Sequence, residues 1–254
     1  MTIPFLGGVT NIIGLGFLIV AGGLLLGFYV LTRQGLKPDL RPLSGYDAML
    51  NQVGQAIESG GRVHISLGPN SVIGEDTGAA LAGLAILDVI TDTSAISDRS
   101  PIATTSDSTT LPVMRDIIRR SYRERGTLDR YESTSARLIS LDAISLAAGT
   151  TSIVADDNVQ ANVLAGSLGS ESALMAEAGQ RKGVSQVFAS DRLQAQAVGL
   201  AMADHVLIGE EMFVGRAYLD QEPAATASVL SQDVLRWVII GAIVVSFVLK
   251  FLSL

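Results

Sequence analysis

Two long apolar runs frame the chain, and between them short apolar stretches alternate with longer amphipathic ones. The first run, residues 12–31 (IIGLGFLIVAGGLLLGFYVL), sits inside a stretch, residues 1–32, that holds no charged side chain. A helix needs about 20 such residues to cross the hydrocarbon of a bilayer. No positive n-region and no A-x-A cleavage pattern accompanies it, so the run is expected to stay as a transmembrane helix over 12–32, after a short extracytoplasmic tail, 1–11. The second run starts at Trp237 and is broken only by Lys250, whose ammonium can snorkel to the interface. It predicts a second crossing over 236–254, with Trp237 as an aromatic interface anchor. Arg33, Lys37 and Arg41 follow the first run and Arg236 precedes the second, which places everything between them in the cytoplasm and both termini outside. Lys250, on the other side, opposes this orientation.

The middle of the chain has a different rhythm. Pro38 and Pro42 end any continuation of the first helix, and 33–60 read as a linker followed by a helix over 46–57. Apolar runs at 63–67, 101–105, 136–141, 161–165, 184–189 and 205–208 have the length and composition of strands. Between and after them, 76–90, 110–124, 144–156, 170–182, 192–203 and 210–218 have helical spacing. Strands alternating with helices of about 10–15 residues indicate βαβ units and a parallel sheet. The expected architecture is therefore α/β: a doubly wound, mostly parallel, Rossmann-like sheet over 61–223, inserted between two transmembrane helices, with 224–235 as a second linker.

Composition narrows the chemistry. Charged residues make up only 17% of the 254 and the formal net charge is −7, so a nucleic-acid partner held by bulk positive charge is not expected. The absence of cysteine removes disulfides, zinc–thiolate sites, iron–sulfur clusters and thiol nucleophiles. With two histidines, His64 and His205, a histidine-rich metal site is not expected either, and no cofactor is implied. Neither G-x-G-x-x-G, nor a P-loop, nor a G-x-S-x-G elbow occurs.

Every expected strand but the last runs into small polar residues, and in a parallel sheet these turns share one edge. That edge is where open α/β sheets hold ligands. Ser66, Gly68, Thr105, Ser106, Asp107, Asp142, Gly166, Ser167, Gly169 and Ser190 are thus the candidate residues for a small anionic ligand such as a nucleotide, near helix N-termini. Helix capping selects the same residue types and explains them equally well. Asp107, Asp142 and Glu210–Glu211 follow strands too, and a set of oxygen ligands for a divalent cation is a further alternative. No residue stands out as catalytic. His64, between Val63 and Ile65, is expected on the opposite strand face from them. Arg115, Arg119 and Arg123 form a row on the helix over 110–124, read either as a solvated face or as a contact for acidic lipid or protein. In the first apolar run, Gly16, Gly23 and Gly27 share one face with Val20, a small-residue stripe suited to helix association in lipid.

The stretches 167–179 (SLGSESALMAEAG) and 203–213 (ADHVLIGEEMF), with 102–107 (IATTSD), resemble an uncharacterised family of bacterial membrane-anchored proteins carrying a domain of unknown function, in Chloroflexi-like and related bacteria. The resemblance implies the bacterial inner membrane and assigns no activity, substrate or catalytic residue. The leading expectation is a non-catalytic, homo-oligomeric scaffold or accessory component of a membrane assembly, whose partners are the bilayer, its own copies and other membrane subunits. The alternative is a membrane-tethered sensor for a small anion at the sheet edge. A metal-dependent enzyme ranks behind both.

Overall fold

The computed structural model describes residues 9–36 and 38–252. Residues 1–8 of the expected tail, Lys37 and residues 253–254 lie outside them. The chain divides into two units. One holds the terminal helices; the other is Arg41–Asp220.

In the first unit, α1 (Val9–Arg33) starts at Val9 rather than at residue 12, since no proline or charge interrupts the apolar run there. Helix α9 (Pro223–Leu252) is 30 residues long. The expected linker 224–235 is thus its first three turns. Pro223 sits in the first turn, where its missing N–H costs nothing, and the Ala-rich segment after it favours helix. Both α1 and α9 are long and apolar enough to cross a membrane. They pack on each other, and Thr32 Oγ1 near the end of α1 donates to the Pro223 carbonyl at the start of α9, at 3.0 Å. They therefore run antiparallel.

The second unit opens with α2 (Ser44–Glu58) and then alternates as expected: β1 (Arg62–Ser66), α3 (Thr77–Ser94), β2 (Ile102–Thr105), α4 (Thr110–Glu124), β3 (Ala136–Leu138), α5 (Ala143–Asp156), β4 (Val159–Ala165), α6 (Ser172–Lys182), β5 (Ser185–Ser190), α7 (Leu193–Met202), β6 (His205–Ile208) and α8 (Gly215–Leu219). All strand pairs are parallel, in the order β3-β2-β1-β4-β5-β6. The order reverses between β1 and β4, which is the switch point of a doubly wound sheet.

Period-2 alternation divides the side chains between two helical layers. Val63, Ile65, Ala103, Ala161, Val163, Val187 and Leu207 join the core shared with α2, α3 and α4, where Tyr46, Met49, Leu87 and Met114 are fully buried. Leu164 and Phe188 face the other way, into the layer of α5, α6 and α7.

Candidate functional site

All the strand-end candidates except Asp142 lie at or within a few residues of the carboxyl ends of β1, β2, β4 and β5, and Asp142 opens α5 after β3. The structure ties them to their own chain. The Ser66 hydroxyl accepts from the Gly68 amide at 3.4 Å. Thr105 Oγ1 donates to the Gly68 carbonyl and accepts from the Asp107 amide, each at 3.1 Å. Asp107 Oδ1 accepts from the Thr109 and Thr110 amides, at 2.9 and 2.8 Å, and opens α4. These bonds hold the Asp107 carboxyl below the ordinary carboxylate range, against a desolvation that pushes the other way. Asp142 Oδ2 takes the Ser145 amide at 3.0 Å and caps α5, which lowers its carboxyl likewise. Ser167 Oγ donates to Asp191 Oδ1 at 2.6 Å, the Gly169 amide to Glu171 Oε1 at 2.7 Å, and Ser190 Oγ accepts from the Arg192 amide. Asp107 and Asp142 thus serve as helix caps, and the other groups named here serve loops and turns.

At the switch point a residue outside the candidate set stands between the loops. Asn70, fully buried, fills the space between the β1 and β4 loops. Its Nδ2 donates to the Leu67 carbonyl at 2.6 Å and its Oδ1 accepts from the Ser167 amide at 3.1 Å. Gly166, at φ +154°, is what admits it: a Cβ there would occupy the place of the Asn70 amide nitrogen. One polar group at this edge stays unsatisfied. The hydroxyl of Ser106 is buried with no hydrogen-bond partner.

The same edge carries large apolar groups in water. Ile73 after β1, Leu141 and Ile144 after β3, and Leu193 after β5 are 75%, 76%, 65% and 77% exposed, and Phe213 after β6 is half exposed. Ile144 and Leu193 stand in the first turns of α5 and α7 and Ile73 and Leu141 in loops, so no single periodicity announces them.

The carboxylates do not gather. Asp107 and Asp142 cap different helices, and Glu211 pairs with Arg41 at 2.6 Å. Among the described residues no three His, Cys, Asp or Glu side chains stand close enough to hold a metal ion. The arginines of α4 and its end fall into two sets. Arg120 bonds Asp88 at 2.7 Å and Arg125 bonds Asp92, while Arg115, Arg119 and Arg123 are exposed. Asp88 also takes Arg216, so the open groove of about 550 Å³ between α2, α3, α4 and α8 is lined by carboxylates and arginines, several of them paired with one another.

His64 faces away from Val63 and Ile65, and it is part of a polar ladder inside the sheet. Its Nδ1 lies 2.7 Å from Asn162 Oδ1 on β4, and its Nε2 lies 3.0 Å from Thr104 Oγ1 on β2. Asn162 Nδ2 donates to Gln186 Oε1 on β5 at 3.0 Å, and Gln186 Nε2 donates to the Ala176 carbonyl at 3.0 Å. That last carbonyl can only accept, so the relay has one direction. His64 donates from Nδ1 and accepts the Thr104 hydroxyl proton at Nε2. Burial pushes its pKa down to about 4, against the hydrogen bond to Asn162, so the ring is neutral. Gly179 on α6 leaves the room that Gln186 occupies. The ladder is buried throughout, and hydrogen bonds between side chains on four adjacent strands suit a fixed strand register.

On α1, a Cβ added at Gly16, Gly23 or Gly27 would meet nothing within 4 Å. The glycine stripe does not face α9; the half-buried Ala21, Leu24 and Phe28 and the buried Thr32 do.

No curated protein and no solved structure matches this sequence. A family model does, over residues 9–254, so both terminal helices and the whole α/β body between them are shared, and the chain belongs to the family described as a domain of unknown function, DUF6754.

Proposed function

We propose that the protein is a non-catalytic, membrane-anchored scaffold that assembles with copies of itself and presents its α/β body in the cytoplasm to other subunits of a membrane assembly. The observation that carries this reading is the state of the strand-end edge. There Asp107 and Asp142 are engaged in capping, Thr105 and Ser167 are bonded to neighbouring loops, and Asn70 fills the switch point. What the edge offers to solvent includes the exposed side chains of Ile73, Leu141, Ile144, Leu193 and Phe213, apolar groups that suit a protein contact if they act together. Two apolar helices supply the anchor, and the arginines beside them support the cytoplasmic orientation. The open glycine face of α1 supports self-association.

Two differently tagged copies, co-expressed and extracted in mild detergent, test it. Capture of one tag is expected to retain the other; its loss from a folded preparation overturns self-assembly. A second reading, a small anion at the same edge, is favoured by the orphaned Ser106 hydroxyl. A thermal-shift series with inorganic phosphate and nucleotides decides it. A ligand at 100 times its Kd is expected to stabilise by about 2.7 kcal/mol, and a flat series retires the sensor.

A further inference from the structure

Strand β3 ends one side of the sheet and pairs with β2 alone. In a parallel ladder the N–H and C=O of one residue point the same way, and successive residues alternate between the partner strand and the other side. The Ile139 amide donates to the Thr105 carbonyl at 3.1 Å, and Thr105 stands opposite Leu138. Arg137 and Ile139 therefore turn their backbone groups to β2, while Ala136 and Leu138 turn theirs outward. Among the described residues nothing bonds the Ala136 carbonyl or the N–H and carbonyl of Leu138. Such an edge is a template for another strand.

An open cavity of about 740 Å³ follows this edge on its α4 side, lined by Leu111, Arg115, Ser133, Thr134 and all three residues of β3. Its charged lining is Arg115 and Arg137, with no carboxylate from the described residues, in a chain whose net charge is −7. Arg137 is answered: it bonds Asp157 at 2.7 Å and donates from Nε to the Thr134 carbonyl. Arg115 is exposed, and no described side chain pairs with it. Ala136 packs into the core beneath α4, so Leu138, two residues on and 38% exposed, is on that same face. Helix α4 runs antiparallel to the strands it joins. Leu111 therefore stands toward the level of Leu138, and Arg115, one turn on, toward the level of Ala136.

We propose that the β3 edge docks an extended acidic segment of a partner protein. The segment adds a seventh strand to the six-stranded sheet, lays an apolar residue on Leu138 and Leu111, and two positions along sets a carboxylate on Arg115. The chemistry of the edge selects this occupant. A donor and two acceptors wait there at strand spacing, and an extended backbone complements both. A free anion would suit the guanidinium and the N–H but would leave both carbonyls facing negative charge. A second copy pairing β3 on β3 would set Arg115 and Arg137 against their own counterparts, like charges across adjacent strands. Because β3 offers few backbone bonds, the charge and the apolar pair carry the specificity. The contact is separate from the strand-end row and stands whether or not the chain self-associates.

The probe is a fluorescein-labelled ten-residue peptide in which threonine alternates with valine and glutamate in turn, beside a twin with lysine for glutamate. Anisotropy is read against the full chain in nanodiscs. The acidic peptide is expected to bind about tenfold tighter than its twin, and Arg115→Glu to remove that preference. Leu138→Pro deletes an outward N–H that the β2 ladder does not use. It is expected to abolish binding with the melting temperature near that of the wild type, whereas Leu138→Val keeps the N–H and the binding. Residue-resolved hydrogen exchange is expected to find the Leu138 amide fast in the free protein and slowed by the acidic peptide. Equal binding of the two peptides, no binding, or binding that survives Leu138→Pro in a folded protein overturns the proposal. A Leu138 amide already protected without peptide when two copies share a disc, but not when one is alone, assigns the edge to a second copy and overturns it likewise.

Discussion

His64 makes the folded body acid-sensitive in a way that can be isolated from every carboxylate. It is neutral and fully buried, with its pKa pushed from 6.5 to about 4, desolvation being the main cause. In the unfolded chain the ring takes up a proton below about pH 6.5; in the folded chain it resists until about pH 4. Its contribution is therefore fully present above pH 6.5 and is lost as the pH falls from there to 4. At 1.36 kcal/mol per tenfold change in proton affinity, the loss at pH 4.5 comes to about 2.5 kcal/mol. Hydrogen exchange of peptides covering β1 and β4, corrected for the intrinsic pH dependence, reports the opening free energy of this body. The wild type is expected to lose about 2.5 kcal/mol more than His64→Gln between pH 7 and pH 4.5, because carboxylate effects are common to both. Should the variant be too unstable, carbon-13-labelled histidine gives the same answer, with His205 as the only other signal. Equal losses in both proteins, or a His64 titration near 6.5, would refute the enclosed neutral ladder.

Three further outcomes follow from the strand-end edge. Asn70→Ala removes two buried hydrogen bonds at the switch point and is expected to cost about 2–3 kcal/mol in chemical denaturation; a neutral effect would mean the crevice is not stapled by this side chain. Asp107→Ala removes the cap of α4 at a cost of about 1 kcal/mol. Because that carboxyl is held low, its contribution is present at neutral pH and disappears as the pH falls below its ordinary 3.8. Leu193→Glu, at a side chain 77% exposed, is expected to leave the melting temperature within a few degrees while weakening capture of partner proteins. Unchanged capture would take this row out of the interface.

The architecture was legible because a parallel sheet writes itself plainly in sequence. Strands such as β1 and β5 are short, with apolar residues alternating in their middles, and each is followed by a helix with a polar turn between them. The partners within the sheet were not legible. Nothing local links His64 to Asn162 and Gln186, which lie 98 and 122 positions away and meet only through the strand order. Nor does a lone asparagine after β1 announce that it will plug the β4 loop, since Asn70 also suits an ordinary turn. The candidate residues lie at the strand-end edge, but they were legible only as small and polar, and capping and ligand binding draw on the same set. The first turns of α9 were missed because their Ala-Thr-Ser composition is equally that of a linker, and only the continuity with the apolar run and the contact with α1 make them helix.

Native mass spectrometry of the full chain released from nanodiscs bears most directly on the central claim. A single defined multimer is expected, which falls apart to smaller species when Gly23 and Gly27 are both replaced by leucine. A protein that flies as a monomer at every concentration, with its helices intact, would contradict it.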